Sequence, residues 1–274
     1  MEFMRMHKKG FSLIAALLLI VVSLVIMVWR NDSYAIKREP FDLDTMYMPD
    51  IPIVTREYNE YFDGKKLVAV TFDDGPNYGT TDLLIDELAK RDAKVSFFMV
   101  GNRVEKYPEL VKKVYEAGHT IGNHSYSHKS FNKQKPDSYL YEINHTNQLI
   151  KNITGQDVIF LRPPYGSFRK STLENVGMQF VLWSIDTVDW QSRNADMIYE
   201  EMIKNVKDGD IILLHDLYPT TIEGALRGID YLLANGFAVV SLDEMFRLRG
   251  TTPQPNTSLR HFYIPEVIQN DNTQ

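Results

Sequence analysis

Two adjacent carboxylates close an apolar run in this chain: Thr71-Phe72-Asp73-Asp74-Gly75 follows Leu67-Val68-Ala69-Val70. The run reads as a fully buried strand. Gly75-Pro76 breaks it and leaves both Asp side chains where strand becomes loop. Alone, Asp-Asp-Gly is also ordinary turn chemistry. Four further segments raise its weight: His124-Ser125-Tyr126-Ser127-His128, Arg162-Pro163-Pro164-Tyr165-Gly166, Asp186-Thr187-Val188-Asp189-Trp190 and Leu213-Leu214-His215-Asp216. Together the five supply metal ligands, a base, an acid and groups to orient them, which is what metal-assisted hydrolysis needs.

His124 and His128 stand four apart. On a helical turn their Cβ atoms would lie about 6 Å apart on one face, near enough to share an ion. On an extended strand the spacing is roughly 13 Å, too far for one ion. The ligand reading therefore expects the chain to turn helically just after Gly122-Asn123. Two His with one carboxylate and open positions is a catalytic rather than a structural zinc pattern. A zinc protease is disfavoured, because Ser and Tyr stand where His-Glu-x-x-His needs its Glu.

The elements that must position these groups alternate. Apolar runs at Leu67–Phe72, Val95–Val100, Val158–Leu161, Phe180–Trp183, Ile211–Leu214 and Phe237–Leu242 read as buried strands, with a shorter candidate at His119–Gly122. Helical patterns lie between them at Asp82–Lys90, Leu110–Ala117, Tyr139–Ile153, Met197–Val206 and Ile222–Ala234. Such alternation predicts a parallel α/β sheet, and the number of units suits a small (β/α) barrel. In a barrel, chemistry collects at the C-terminal ends of strands. The Asp pair, Arg162, Asp186, Asp189 and His215 fall there.

Composition narrows the rest. The 274 residues suit one sizeable domain with appendages. A net charge of −6 with no basic block argues against nucleic acid as a partner. There is no Cys, hence no disulfide framework and no Cys nucleophile. Phe11 to Trp29 carries no charge over 19 residues, about 28 Å as a helix and enough to span a bilayer. Arg5, Lys8 and Lys9 precede it and favour a cytoplasmic N-terminus. The expected organisation is a cytoplasmic segment at 1–10, a transmembrane signal-anchor at 11–29, an extracellular stem at 30–62, the α/β domain at 63–249 and a polar tail at 250–274. The rival is a secreted protein, cleaved at the small-x-small site Ser33-Tyr34-Ala35.

The five segments resemble, in order, the five motifs of the polysaccharide deacetylase family, also called the NodB-homology or carbohydrate esterase family 4 fold. The resemblance spans roughly residues 65 to 248 with all five motifs intact. It implies a distorted (β/α) barrel that removes N-acetyl groups from amino sugars, or O-acetyl groups in some members. By motif position it implies that Asp74, His124 and His128 hold a divalent metal, usually zinc, sometimes cobalt or manganese. It further implies Asp73 as catalytic base, Arg162 as its partner, His215 as catalytic acid and Asp189 as the carboxylate that tunes it. The Tyr165 backbone N–H would serve the oxyanion hole.

Those roles are chemically sensible. A metal lowers the pKa of its water and polarises a carbonyl. A base beside that ion and an Arg stays ionised, and a carboxylate beside a His raises the imidazole pKa. Trp190 is a candidate wall for ring stacking and Leu213 a candidate lining for an acetyl pocket, with core packing the plain alternative for each. Asp186 reads as a cap at least as well as a catalytic group, and Asp216 as a support for the loop after His215. The expected substrate is a cell-surface glycan, most of all peptidoglycan. The alternatives are an O-acetyl xylan-type esterase, a chitooligosaccharide deacetylase and a catalytically silent carbohydrate-binding protein. No obligate protein partner is expected.

Overall fold

The computed structural model describes residues 62–264, so the expectations for residues 1–61 and 265–274, the membrane anchor included, lie outside the described residues. Among the described residues no helix is long and apolar enough to cross a membrane. The chain runs β1 (Lys66–Asp73), α1 (Thr81–Leu88), β2 (Ser96–Met99), α2 (Gly101–Lys106), α3 (Pro108–Glu116), β3 (Thr120–Asn123), α4 (Pro136–Thr154) and β4 (Phe160–Leu161). It continues through α5 (Lys170–Val176), β5 (Gln179–Val181), β6 (Ile185–Asp186), α6 (Asp189–Ser192), α7 (Ala195–Ile203) and β7 (Ile211–His215). Last come α8 (Pro219–Ala234), β8 (Phe237–Val240), α9 (Leu242–Leu248) and β9 (Ser258–Leu259).

The strands form one sheet in the order β6-β7-β1-β2-β3-β4-β5-β9, with β8 also paired to β1. Each of these pairings is parallel, and the sheet curls into a half-barrel. The expected α/β architecture is present, and each expected strand and helix has a counterpart. The alternation missed α2, α5, α6, α9, β6 and β9, which are too short to show a period.

Strand alternation decides which side chains reach the interior. In β1, Val68, Val70 and Phe72 face outward and pack under the helices, with Phe72 stacked on Phe97 of β2 at 5.6 Å. Fully burying a ring such as Phe72 contributes about 1.5–3 kcal/mol. Leu67 and Ala69 face the interior of the curl, beside Phe98, Val181 and Ile211. With period two, Thr71 and Asp73 inherit that inward direction. In β7, Ile212 and Leu214 point out, so Leu213 and His215 follow Ile211 inward. Register places Asp73 directly beside His215.

The expected tail beginning at 250 is in part an element of the fold. Phe180 and Val181 of β5 pair with Ser258 and Leu259 of β9. Beyond it, the Phe262 N–H donates to the Gly209 carbonyl at 2.7 Å, and the Tyr263 hydroxyl donates to Asp210 Oδ1 at 2.5 Å. Two isolated residues of strand carry too little pattern to be read from sequence.

Candidate active site

Arg162 is fully buried at the end of β4. Its Nη1 donates to Asp73 Oδ1 at 2.7 Å and to Thr71 Oγ1 at 2.8 Å, while Nε and Nη2 donate to the carbonyls of Val181 and Leu182. The guanidinium lies over the Phe98 ring at 4.1 Å, with Trp183 at 5.6 Å. A buried charge is tolerable only when paired and hydrogen-bonded, and four donated bonds meet that condition. Burial pushes the Asp73 carboxyl above its ordinary range, against the pull of Arg162 and then His215. A carboxylate held in place with a raised proton affinity is suited to take a proton.

Asp73 and Asp74 diverge because the backbone turns between them. Asp74 has φ 74°, in the left-handed region. Its Oδ1 is buried, lacks a hydrogen-bond partner and lies 3.2 Å from His128 Nε2 and 3.5 Å from His124 Nε2. His124 Nδ1 lies 2.6 Å from the Arg162 carbonyl, a contact that puts the proton on Nδ1 and leaves Nε2 free. Burial lowers the His124 pKa to about 3, so the ring is neutral and able to ligate. A tetrahedral zinc with arms of about 2.0–2.1 Å has ligand atoms about 3.3–3.4 Å apart. One ligand atom from each of Asp74, His124 and His128 lies within 4.8 Å of the others, and the orphaned Asp74 oxygen between two imidazoles fits a divalent cation.

The expected helical turn between the two His is not there. Ser125 (φ 63°) and His128 (φ 55°) take left-handed conformations, and the loop doubles back to bring the rings to 4.9 Å. Side chains and a helix end fix this shape. Asn123 Oδ1 accepts from the Ser125 N–H at 2.7 Å, and Ser125 Oγ accepts from the His128 N–H at 3.0 Å. Glu142 on α4 accepts from the N–H groups of Tyr126 and Ser127 and from the Ser127 hydroxyl. The first N–H groups of α2 donate to the carbonyls of Ser125 and Tyr126.

His215, at the end of β7, sits 2.8 Å through Nδ1 from Asp189 Oδ1. Asp189 is fully buried, and its Oδ2 accepts from the His215 N–H and the Thr221 hydroxyl, each at 2.8 Å. Burial works against a charged His215, but the hydrogen bond and charge of Asp189, with Asp73 and Asp74 behind, lift its pKa to about 9. A protonated imidazole at neutral pH is a proton donor. Asp186 is a cap, accepting from the Val188 N–H at 2.9 Å. Val188 itself has φ 52°, a strained conformation for a β-branched residue.

The remaining candidates fall around these groups. Tyr165 has φ 63° in a tight turn closed by Gly166 N–H to Pro163 and Ser167 N–H to Pro164, two bonds that do not use the Tyr165 N–H. Gly166 is required there, since a Cβ would lie 2.7 Å from the Trp183 ring. The Tyr165 ring is exposed and 4.8 Å from that of His128. Trp190 is 48% exposed and follows buried Asp189 in the chain. Leu213 is buried on the inner face below His215. Asp216 is buried, accepts from Thr81 and offers its carbonyl to Thr80. Burial lifts its pKa to about 7.

Sequence reasoning missed Thr71, Asn123, Glu142, Trp183 and Thr221, each of which orients a candidate functional group. Asn123 carried a signal, standing directly before His124. Glu142 and Thr221 carried none, because long-range contacts on helices leave no local pattern.

The sequence pattern of the polysaccharide deacetylase family matches residues 62–181. The chain is 35% identical over 181 residues to the peptidoglycan-N-acetylglucosamine deacetylase PgdA of Listeria monocytogenes, covering 66% of this chain and 39% of that protein. It is also 35% identical over 181 residues to the peptidoglycan-N-acetylmuramic acid deacetylase PdaC of Bacillus subtilis, with the same 66% and 39% coverage. The chain thus spans 39% of the length of these two relatives. The structure of a family 4 acetyl xylan esterase from Clostridium thermocellum, in complex with cobalt, matches with a TM-score of 0.69 and 34% identity, covering 73% of this chain and 100% of that one. This chain belongs to the polysaccharide deacetylase family, a family of enzymes.

Proposed function

We propose that this protein is a metal-dependent hydrolase that removes N-acetyl groups from amino sugars of peptidoglycan. The observation that carries the reading is the meeting, at one end of the sheet, of a His-His-Asp cluster with an Asp73–Arg162 pair and a His215–Asp189 pair. Asp74, His124 and His128 would hold the ion, which supplies a more acidic water and a polarised acetyl carbonyl when bound. Asp73 takes the proton of the attacking water as its oxygen bonds to the carbonyl carbon. The Tyr165 N–H faces the negative charge that develops on the acetyl oxygen, a role worth several kcal/mol in comparable donors (about 2.7–4). As the C–N bond breaks, His215 gives its proton to the sugar nitrogen and acetate leaves. A silent binding protein has no need for this base and acid, set side by side on adjacent strands next to one cluster.

The test is mass spectrometry of peptidoglycan fragments, chitin oligomers and acetylated xylan incubated with the purified protein, with and without a chelator. A loss of about 42 mass units per acetyl group hydrolysed is expected on peptidoglycan and is abolished by chelation. Zn²⁺, Co²⁺ or Mn²⁺ should restore it. Activity on acetylated xylan alone would favour the esterase reading, which the acetyl xylan esterase relative keeps in play.

The same reading places the domain outside the cell membrane, held by a single-pass helix at 11–29 with a cytoplasmic N-terminus, or released by cleavage near Ala35. The uncharged run and its basic flank support the anchor. Membrane fractionation checks it: an anchored protein sediments with membranes and is extracted by detergent, and a cleaved one is found in the medium.

A further inference from the structure

Beside His128 the surface opens into a cleft of about 600 Å³ that shares His128 and Tyr165 with the active site and has Lys129 and Lys133 in its wall. The sign of this cleft is opposite to that of the molecule, whose net charge is −6. Residues 128–136 contain Lys129, Lys133 and Lys135 and no Asp or Glu. Some other lysines sit against carboxylates, such as Lys90 on Glu87, Lys113 on Asp86, Lys151 on Asp157 and Lys204 on Glu201, whereas Lys66 and Lys106 lie over aromatic rings and Lys94 donates to a carbonyl. Among the described residues no carboxylate lies within 4 Å of the Lys129 or Lys133 ammonium. Two like charges without a counter-charge repel each other and gain from an anion placed between them.

The cations ride on a fixed segment. Phe131, buried between them in sequence, anchors a 3-10 turn at Phe131–Lys133. The Lys129 carbonyl accepts from Gln134 Nε2 at 3.0 Å, and Asn132 Nδ2 donates to Ser167 Oγ at 2.6 Å. Arg169 Nη2 donates to the Asn132 carbonyl at 2.9 Å, adding a third positive charge beside the segment. A held backbone lowers the ordering cost of binding.

We propose that this cleft receives a carboxylate carried by the glycan next to the acetamido group at the metal cluster. The preferred substrate is then a carboxylated N-acetyl glycan and not a neutral one. This deepens the deacetylase reading and rests on it for the identity of the neighbouring sugar. In a peptidoglycan strand the carboxylate has two sources, the lactyl ether of a muramic acid or a peptide attached to it, and both offer the same charge.

Calorimetric titration of the chelated full-length protein, which turns nothing over, tests the assignment. The probes are an N-acetyl disaccharide with a free lactyl carboxylate, the same disaccharide with a short carboxylated peptide on the lactyl group, and a counterpart with the carboxylate reduced to an alcohol. At least one carboxylated probe is expected to bind about tenfold more tightly than the alcohol, a preference weakened by salt. Whichever probe shows the preference identifies the source. Lys129→Gln/Lys133→Gln should bind all three alike, and Lys133→Glu should disfavour the carboxylates; both side chains are exposed, so the fold should be kept, as circular dichroism would verify. Equal or absent binding of the probes by the unsubstituted protein overturns the proposal, as does a preference that survives in the double variant. Metal-loaded protein that keeps the preference but releases no acetate refutes the deacetylase reading and leaves the cleft assignment standing.

Discussion

At the scale of single residues, the adjacent Asp73 and Asp74 divide two jobs that one carboxylate could not do. Asp73 points into the curl and is held by Arg162 at 2.7 Å, and Asp74 turns through φ 74° toward the two imidazoles. Asp73→Asn should keep the metal and lose turnover by about 10²–10⁴-fold or more, the usual worth of an oriented acid or base. His128→Ala should lose both. Metal content by atomic absorption beside acetate release checks the pair; an Asp73→Asn protein without metal, with Asp74→Asn still loaded, would exchange the two roles. His215 makes a second prediction. Its pKa is raised to about 9 against burial by Asp189, Asp73 and Asp74. The acid form is therefore present through neutrality, and activity falls as pH rises through about 9. Asp189→Asn keeps a hydrogen-bond acceptor but removes the charge, so the alkaline limb should move to lower pH. A limb that stays in place in a full pH–rate profile would mean that Asp189 only orients the ring.

At the scale of elements, the site depends on how strand ends and loops are tied together. The loop after β1 and the loop after β7 touch through Gly75 and Asp216, and a Cβ at position 75 would overlap the Asp216 carboxylate. Gly75→Ala should push the two loops apart and lower kcat by more than tenfold, with an overpacking cost of about 1–3 kcal/mol. Kinetics and urea unfolding on the same preparation check both parts, and wild-type kcat would show that Asp216 swings aside. The strands were legible in sequence because β1, β2 and β7 are buried on both faces and read as unbroken apolar runs. Four of the five motifs were legible because each ends or follows an apolar run, and the His pair follows only a short strand candidate. The path between His124 and His128 was not legible, since the spacing argument compared helix with strand and the chain uses neither. Its left-handed Ser125 and His128 are imposed by Asn123, Glu142 and the first turn of α2, contacts that no local pattern announces. The tertiary frame overrode local preference there, and it did so at the site itself.

At the scale of the whole molecule, the half-barrel is completed from a distance. Its central strands come from the first and last thirds of the domain, since β1 pairs with β2, β7 and β8. The C-terminal segment then extends the β5 edge of the sheet and reaches the turn before β7. Leu259 packs on the interior cluster, Phe262 sets its ring edge-on to Phe246 at 4.8 Å, and Tyr263 bonds to buried Asp210. Asp210 in turn accepts from the Ser184 hydroxyl and the Lys207 N–H, so the segment steadies the turn that leads into β7 and His215. Ending the chain at residue 256 should remove these contacts without touching a candidate ligand, base or acid. The expected cost is at least about 2–4 kcal/mol, from the lost apolar burial and from the hydrogen bonds of the β5–β9 pairing, Phe262 to Gly209 and Tyr263 to Asp210, or roughly 5–15 °C or more in Tm for a domain of this size. Scanning calorimetry of the shortened and full chains measures the shift. Metal bound at low temperature should be unchanged, because Asp74, His124 and His128 follow β1 and β3, strands that do not pair with β9. An unshifted Tm would show that the sheet holds its curl without this segment, and loss of metal in a folded short chain would show that the segment governs the geometry of the site.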